Sequence, residues 1–139
     1  MKDPANAVLK AYVDILKNAI VVDGNTIYAG TGIPKDTTEW VLIYIESIEF
    51  LRTGNSVVIE ALVALEVVSM QEILESNDII VNEIVEQVLR LIDNKDVFKM
   101  NGFELVDLRP MNFTRDEQTT ETNHIITRKL QVFNHIQQK

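Results

Sequence analysis

Cysteine is absent from the 139 residues, which excludes disulfide frameworks, thiolate metal sites, iron–sulfur clusters and cysteine nucleophiles. Aromatic residues make up only 6%, so a carboxylate pair doing glycoside chemistry would lack a sugar-stacking cleft around it. The two histidines, His124 and His135, stand eleven residues apart with no cysteine to complete a zinc set and read as exposed strand-end residues. Positive charge is scarce as well: 13 basic against 21 acidic residues give a net of −8. Such a field repels polyanions and disfavours autonomous nucleic-acid binding. The cations are scattered, with no stripe beyond Arg128-Lys129. No apolar run approaches the ~18 residues of a spanning helix, and Met1-Lys2-Asp3-Pro4 does not open a signal peptide. These absences lead to the expectation of a soluble, unexported protein with no membrane contact. What is present is 46% hydrophobic residues in a length that suits one core, so residues 1–139 are expected to form a single domain.

Asp3-Pro4 is a helix start, because aspartate caps free amides and proline at the first helical position gives up a donor that had no partner. Val8, Tyr12, Ile15, Leu16 and Ala19 then form one apolar stripe that needs a sheet to cover it. Val21 to Asn25 and Gly30 to Pro34 break the pattern, leaving Thr26 to Ala29 as a short edge strand. Trp40 to Ile45 is nearly continuous in large apolar residues, which predicts a central strand covered on both faces. After the turn-rich Arg52 to Ser56, the run Val57 to Met70 is long and β-branched, and the two runs read as a long, partly projecting antiparallel hairpin.

Asn77 or Asp78 can cap a second helix, whose stripe is Ile80, Val81, Ile84, Val85, Val88 and Ile92. Asn101-Gly102, between Val97-Phe98 and Phe103 to Leu108, is a hairpin signal because both residues tolerate positive φ. Thr114 to Asn123 carries no apolar side chain and is expected to be an exposed, mobile loop before a last strand, Ile125 to Ile136. The sum is an α+β fold: a largely antiparallel, mixed sheet with two amphipathic helices on one face and a long projecting hairpin.

No catalytic constellation emerges. Gly30-Thr31-Gly32 lacks the third glycine of a phosphate loop, has Lys35 in its place, and leads into a strand. The serines have no nucleophile-elbow context. A two-residue turn at Gly54-Asn55 sets Glu49 opposite Glu60, which a register shift, a solvated tip or a cation between them could relieve. No catalytic, cofactor or metal residue is assigned. Extended ribbons have another use: strand edges that are liabilities in a monomer become interfaces in a closed ring.

In order, an N-terminal helix, Ile27-Tyr28-Ala29-Gly30, Ile33-Pro34, the strand Trp40-Val41-Leu42-Ile43, a long return strand, and a helix leading to Asn101-Gly102-Phe103-Glu104-Leu105-Val106-Asp107-Leu108 resemble the tail-completion, or tail-terminator, proteins of tailed bacteriophages. The end is similar too, with a polar turn carrying Arg115-Asp116 and a final alternating strand Ile126 to Ile136. The sequence departs from that family in spreading Gly30 and Pro34 apart, in having Glu39 before Trp40, and in a longer Thr114 to Asn123 connection.

The resemblance implies a non-enzymatic virion protein, made in the bacterial cytoplasm, that forms a homo-oligomeric ring, commonly a hexamer. Such a ring sits on the tail tube, stops its polymerisation and offers a docking face to the head connector or neck protein. No cofactor is implied, and DNA would be only passing cargo. The contact residues expected on this view are Trp40, Phe50, Leu51, Arg52, Arg115, Asp116 and Glu117; for Trp40 plain core packing is the alternative. The competing readings are another phage neck or tail-tube-like subunit, and a small-molecule-binding α+β domain.

Overall fold

The computed structural model describes residues 3–54 and 56–139; Met1, Lys2 and Asn55 lie outside the described residues. Helix α1 spans Pro4–Leu16, with the Asp3 carboxylate accepting from the Ala5 amide at 2.9 Å. It buries Val8, Ala11, Tyr12 and Leu16, and ends where Asn18 takes φ +60°. Ile20, beyond the helix, completes the buried stripe, whereas Ala19 is exposed.

A two-residue ladder, β1 (Val21–Val22) against β2 (Asn25–Thr26), closes around Asp23-Gly24, both at positive φ. The short edge strand is β3 (Tyr28–Gly30), which runs parallel to the start of β4 (Glu39–Thr53) and makes the sheet mixed. β4 turns through Gly54 into β5 (Ser56–Glu72), and Thr53 pairs with Ser56.

Helix α2 (Ile79–Ile92) buries Val81, Ile84, Val85, Val88 and Ile92. Asn77, not Asp78, supplies the side-chain cap, accepting from the Ile79 amide at 2.9 Å. The chain finishes with β6 (Phe103–Thr119) and β7 (Asn123–Gln138), and the main sheet has the order β3-β4-β5-β7-β6.

Both helices cover one face of that sheet, as the alternation of burial along β5 and β7 requires. Ile59, Ala61, Val63, Leu65 and Val67 of β5 stand beside Ile136, Asn134, Val132, Leu130 and Arg128 of β7 on the helix side. The α1 register is fixed by a buried polar contact. The Tyr12 hydroxyl donates to Asn134 Oδ1 at 2.5 Å, and Asn134 Nδ2 donates to the carbonyls of Ala61 (3.2 Å) and Val132 (3.0 Å). Phe98 meets the Tyr12 ring edge-on, with centroids 4.8 Å apart. Burial pushes the Tyr12 phenol well above its ordinary pKa, so it remains a donor.

Three expectations need correction. Thr114 to Asn123 is not a loop: β6 continues to Thr119 in register with β7, and the turn is only a few residues long, closed by Thr120 and Asn123. Asn101-Gly102 does turn the chain, with Gly102 at φ +87°, but Val97 lies in a 3₁₀ turn and β6 pairs with β7 instead of with 97–98. β4 is covered on both faces only at its start, because Leu42 and Tyr44 are half-buried on the helix-free side and β3 accompanies it only from Trp40 to Leu42.

Candidate functional site

The face of the sheet opposite the helices is open across β4, β5, β7 and β6, and charge is sorted onto it. Glu49, Glu60, Glu66 and Glu72 from β4 and β5 lie on it by register, and so do Glu104, Asp107 and Asp116 from β6. Glu46, the extra residue of a β-bulge between Ile45 and Ser47, joins them through its contacts with β7. Against these eight carboxylates stand two cations, Arg109 and Lys129.

Lys129 is the hub of a polar network. Its ammonium lies 3.0 Å from Glu46 and 5.9 Å from the centre of the Tyr44 ring. Tyr44 donates to Glu66 at 2.8 Å, Gln131 donates to Glu46 at 3.0 Å, and Asn112 donates to Gln131 at 3.0 Å. Hydrogen bonding by Gln131, then by Lys129, holds the Glu46 carboxyl below the ordinary range, while its bond with Glu46 raises the Lys129 pKa. Burial raises the Tyr44 phenol, with Glu66 adding to it. The result is a mixed face on which this polar network and its carboxylates are set among half-buried Leu42, Leu62 and Phe133.

Glu49 and Glu60 are directly opposite, in unbroken register with the Thr53–Ser56 pair; the bulge lies beyond them and does not separate them. His135 and then Asp107 continue the row across β7 and β6. Among the described residues no three acidic or histidine side chains converge as a cation set would need. Like charges facing each other across strands oppose pairing, so Glu49→Lys should raise stability by roughly 0.5 kcal/mol. Urea denaturation at fixed protein concentration checks this; an unchanged midpoint would mean that solvent already screens the pair.

The two edges of the sheet are free over long stretches. Among the described residues, β4 has no strand partner on its outer side from Ile43 to Thr53 and the outer side of β6 has none along its length, although Lys95 Nζ donates to the Val106 carbonyl at 3.2 Å. Every β6 residue from Arg109 to Thr119 is exposed. Pro110 and bulges at Val106 and Met111 interrupt the first part of that edge, whereas Asn112 to Thr119 is regular.

The contact residues read from the sequence fall at several places. Trp40 is buried at the start of β4, opposite Val68, as packing would have it. Phe50 and Leu51 are exposed near the β4 turn but alternate, Phe50 towards the helix side and Leu51 towards the open face, with Arg52 again on the helix side. Arg115 and Glu117 lie on the helix side of β6 and Asp116 on the open face, at the other end and the other edge of the sheet. The structure therefore brings Phe50, Leu51 and Arg52 together and Arg115, Asp116 and Glu117 together, but not the two groups with each other.

Arg115 grips α2: its Nε and Nη2 donate to the two Asp78 oxygens at 2.9 and 2.8 Å, and Nη2 also donates to Glu117. His124 stands 3.5 Å from Glu117. The guanidinium holds both the Asp78 and Glu117 carboxyls below their ordinary range. A carboxylate whose folded pKa is depressed adds stability above its unfolded pKa and loses it as pH falls through the folded one. Arg115→Gln should therefore be less stable than the parent at pH 7, and the difference should fade below about pH 4. Melting curves of both proteins across that range test the sign; a gap that persists at acid pH would assign the loss to packing.

In comparison with known proteins, no family model matches the chain, and no curated protein matches it. Among the described residues no helix is long and apolar enough to cross a membrane.

Proposed function

We infer that this chain is a non-enzymatic subunit of a phage-tail ring, which caps the tail tube, stops its polymerisation and offers the head connector a docking face. The observation that carries the reading is a sheet with strands of 15 to 17 residues, open on its acid-rich face and unpaired at both long edges. In an isolated subunit such edges invite uncontrolled pairing. β4 and β6 run in opposite directions, so the edge of one copy can continue the sheet of the next in antiparallel fashion, and a head-to-tail contact that closes makes a ring.

Closure with the helices outward turns the open face towards the axis. A lumen lined by Glu49, Glu60, Glu66 and their neighbours repels phosphate, so DNA slides through as cargo without counterion-releasing contacts. The wet Lys129 network suits a water-filled channel. Phe50, Leu51 and Arg52 on the β4 edge and Arg115, Asp116 and Glu117 on the β6 edge then mark the two ends of the repeated β4–β6 contact, with self, tube protein and connector as the partners.

Native mass spectrometry of the purified protein, with and without tail-tube protein, tests this. A closed ring that halts tube growth is expected, and a strict monomer that ignores the tube would overturn it.

A further inference from the structure

Asn101-Gly102 is the one place in the chain where glycine follows asparagine, and reversing the chain before β6 is not all that this pair can do. Met100 to Phe103 form a tight turn, closed by the Phe103 amide donating to the Met100 carbonyl at 3.4 Å. Of its two central residues only Gly102 has positive φ, at +87°, which is the pattern of a type II turn. Asn101 is exposed, and the turn borders a cavity of about 800 Å³ between α1 and the start of β6, so water reaches it. Among the described residues no hydrogen bond engages the Asn101 side chain or the Gly102 amide. Asn82, Asn112 and Asn134 differ on every count: they lie in helix or strand, and their side chains are bonded to Arg128, Gln131 and Tyr12.

We propose that Asn101 is a site of self-modification, at which the Gly102 backbone nitrogen attacks the Asn101 side-chain carbonyl and the asparagine deamidates in the folded chain. Glycine has no Cβ to shield its amide from that approach. The Gly102 nitrogen loses its proton as it bonds to Cγ, and the side-chain nitrogen departs with that proton as ammonia, leaving a five-membered succinimide. Water, the only co-reactant, then opens the ring at one of its two carbonyls. Addition at the side-chain carbonyl gives aspartate on an unchanged backbone. Addition at the main-chain carbonyl gives isoaspartate, whose backbone runs through Cβ and Cγ and is one atom longer. Both products add a negative charge, and the longer one disturbs what the turn holds in place. The Lys139 amide donates to the Gly102 carbonyl at 3.0 Å, Phe103 pairs with Gln138, and Phe103 is 2% exposed. Isoaspartate therefore loosens the joined start of β6 and end of β7. This inference goes beyond the ring reading and does not rest on it.

Peptide mapping by mass spectrometry tests this on the native protein, held at physiological temperature in mildly alkaline buffer. The peptide carrying Asn101 should gain the mass difference between a hydroxyl and an amino group and separate into aspartate and isoaspartate forms. Its conversion should outpace that of the peptides carrying Asn82, Asn112 and Asn134 by roughly tenfold or more, because only Asn101 is followed by glycine. Asn101→Gln, whose attack would have to close a six-membered ring, should lose the conversion. Val81→Ala removes buried methyl groups at the start of α2 and lowers stability. That site stands by Arg128, whereas the turn stands by Gln138 at the far end of β7. A reaction of the folded chain does not wait for unfolding, so this variant should convert at the parent rate. An Asn101 peptide that stays intact in the native protein, or conversion that accelerates with the stability lost in Val81→Ala, would overturn the proposal. Neither readout depends on ring closure or tube capping, so failure here and failure of the ring are separate results.

Discussion

Asn134→Ala should lower the melting temperature by roughly 10 °C. Asn134 is 1% exposed, accepts from Tyr12 and donates to two carbonyls, so alanine leaves a buried hydroxyl without its acceptor and a void at the α1–β7 contact. An orphaned buried polar group costs ~1–3 kcal/mol and the cavity adds to it, for a total of about 3–4 kcal/mol. At ~3 °C per kcal/mol for a domain of this size, the shift follows. Tyr12→Phe should cost less, ~1–2 kcal/mol, because Asn134 keeps both of its backbone bonds. Combining the two should cost less than their sum, since they share one contact. Urea denaturation at fixed protein concentration reads all three. Additive losses would show that the contact does not couple helix and sheet.

The second large effect is on assembly. Leu51→Asp should weaken formation of the proposed ring while the subunit still melts cooperatively and near the parent temperature. Leu51 is 42% exposed, on the stretch of β4 that lacks an outer partner, so in the subunit the aspartate stays in water and costs within about 0.5 kcal/mol. Across the β4–β6 contact of the proposed ring the same carboxylate adds to an acid-rich face continued by the next copy, and like charges facing each other across paired strands oppose the pairing. Sedimentation velocity and a melting curve on the same sample separate the two. Collapse of the subunit itself would place Leu51 in the core and remove this edge from the interface.

Most of the fold could be read from residues that alternate between water and core. Asp3-Pro4, the apolar stripe of α2 and the β4–β5 hairpin register were legible because burial leaves a period in the sequence. The short β1–β2 ladder was missed although Asp23-Gly24 is itself a tight-turn signal; it stood among other breakers and read as one. The second half of β6 was illegible for a physical reason. Thr114 to Thr119 is exposed throughout, so no apolar period exists to find, and pairing with β7 and the Arg115 grip on Asp78 hold it extended. Asn101-Gly102 gave the turn but not the partner, because turn chemistry is local whereas strand pairing is set by what else needs covering.

The candidate surfaces were less legible than the fold. Sequence alone named Phe50 to Arg52 and Arg115 to Glu117 as candidates but not that they lie at opposite edges, which depends on β7 inserting between β5 and β6. The acid-rich open face could not be seen as a net charge, since it arises from strand register across four strands. Glu46 reaches it only because a bulge adds one residue to β4.

The most direct test of the central claim is electron microscopy of phage tails assembled with this protein removed. Tubes that grow past their normal length are the predicted result. Tubes of normal length, joined to heads as usual, would contradict it.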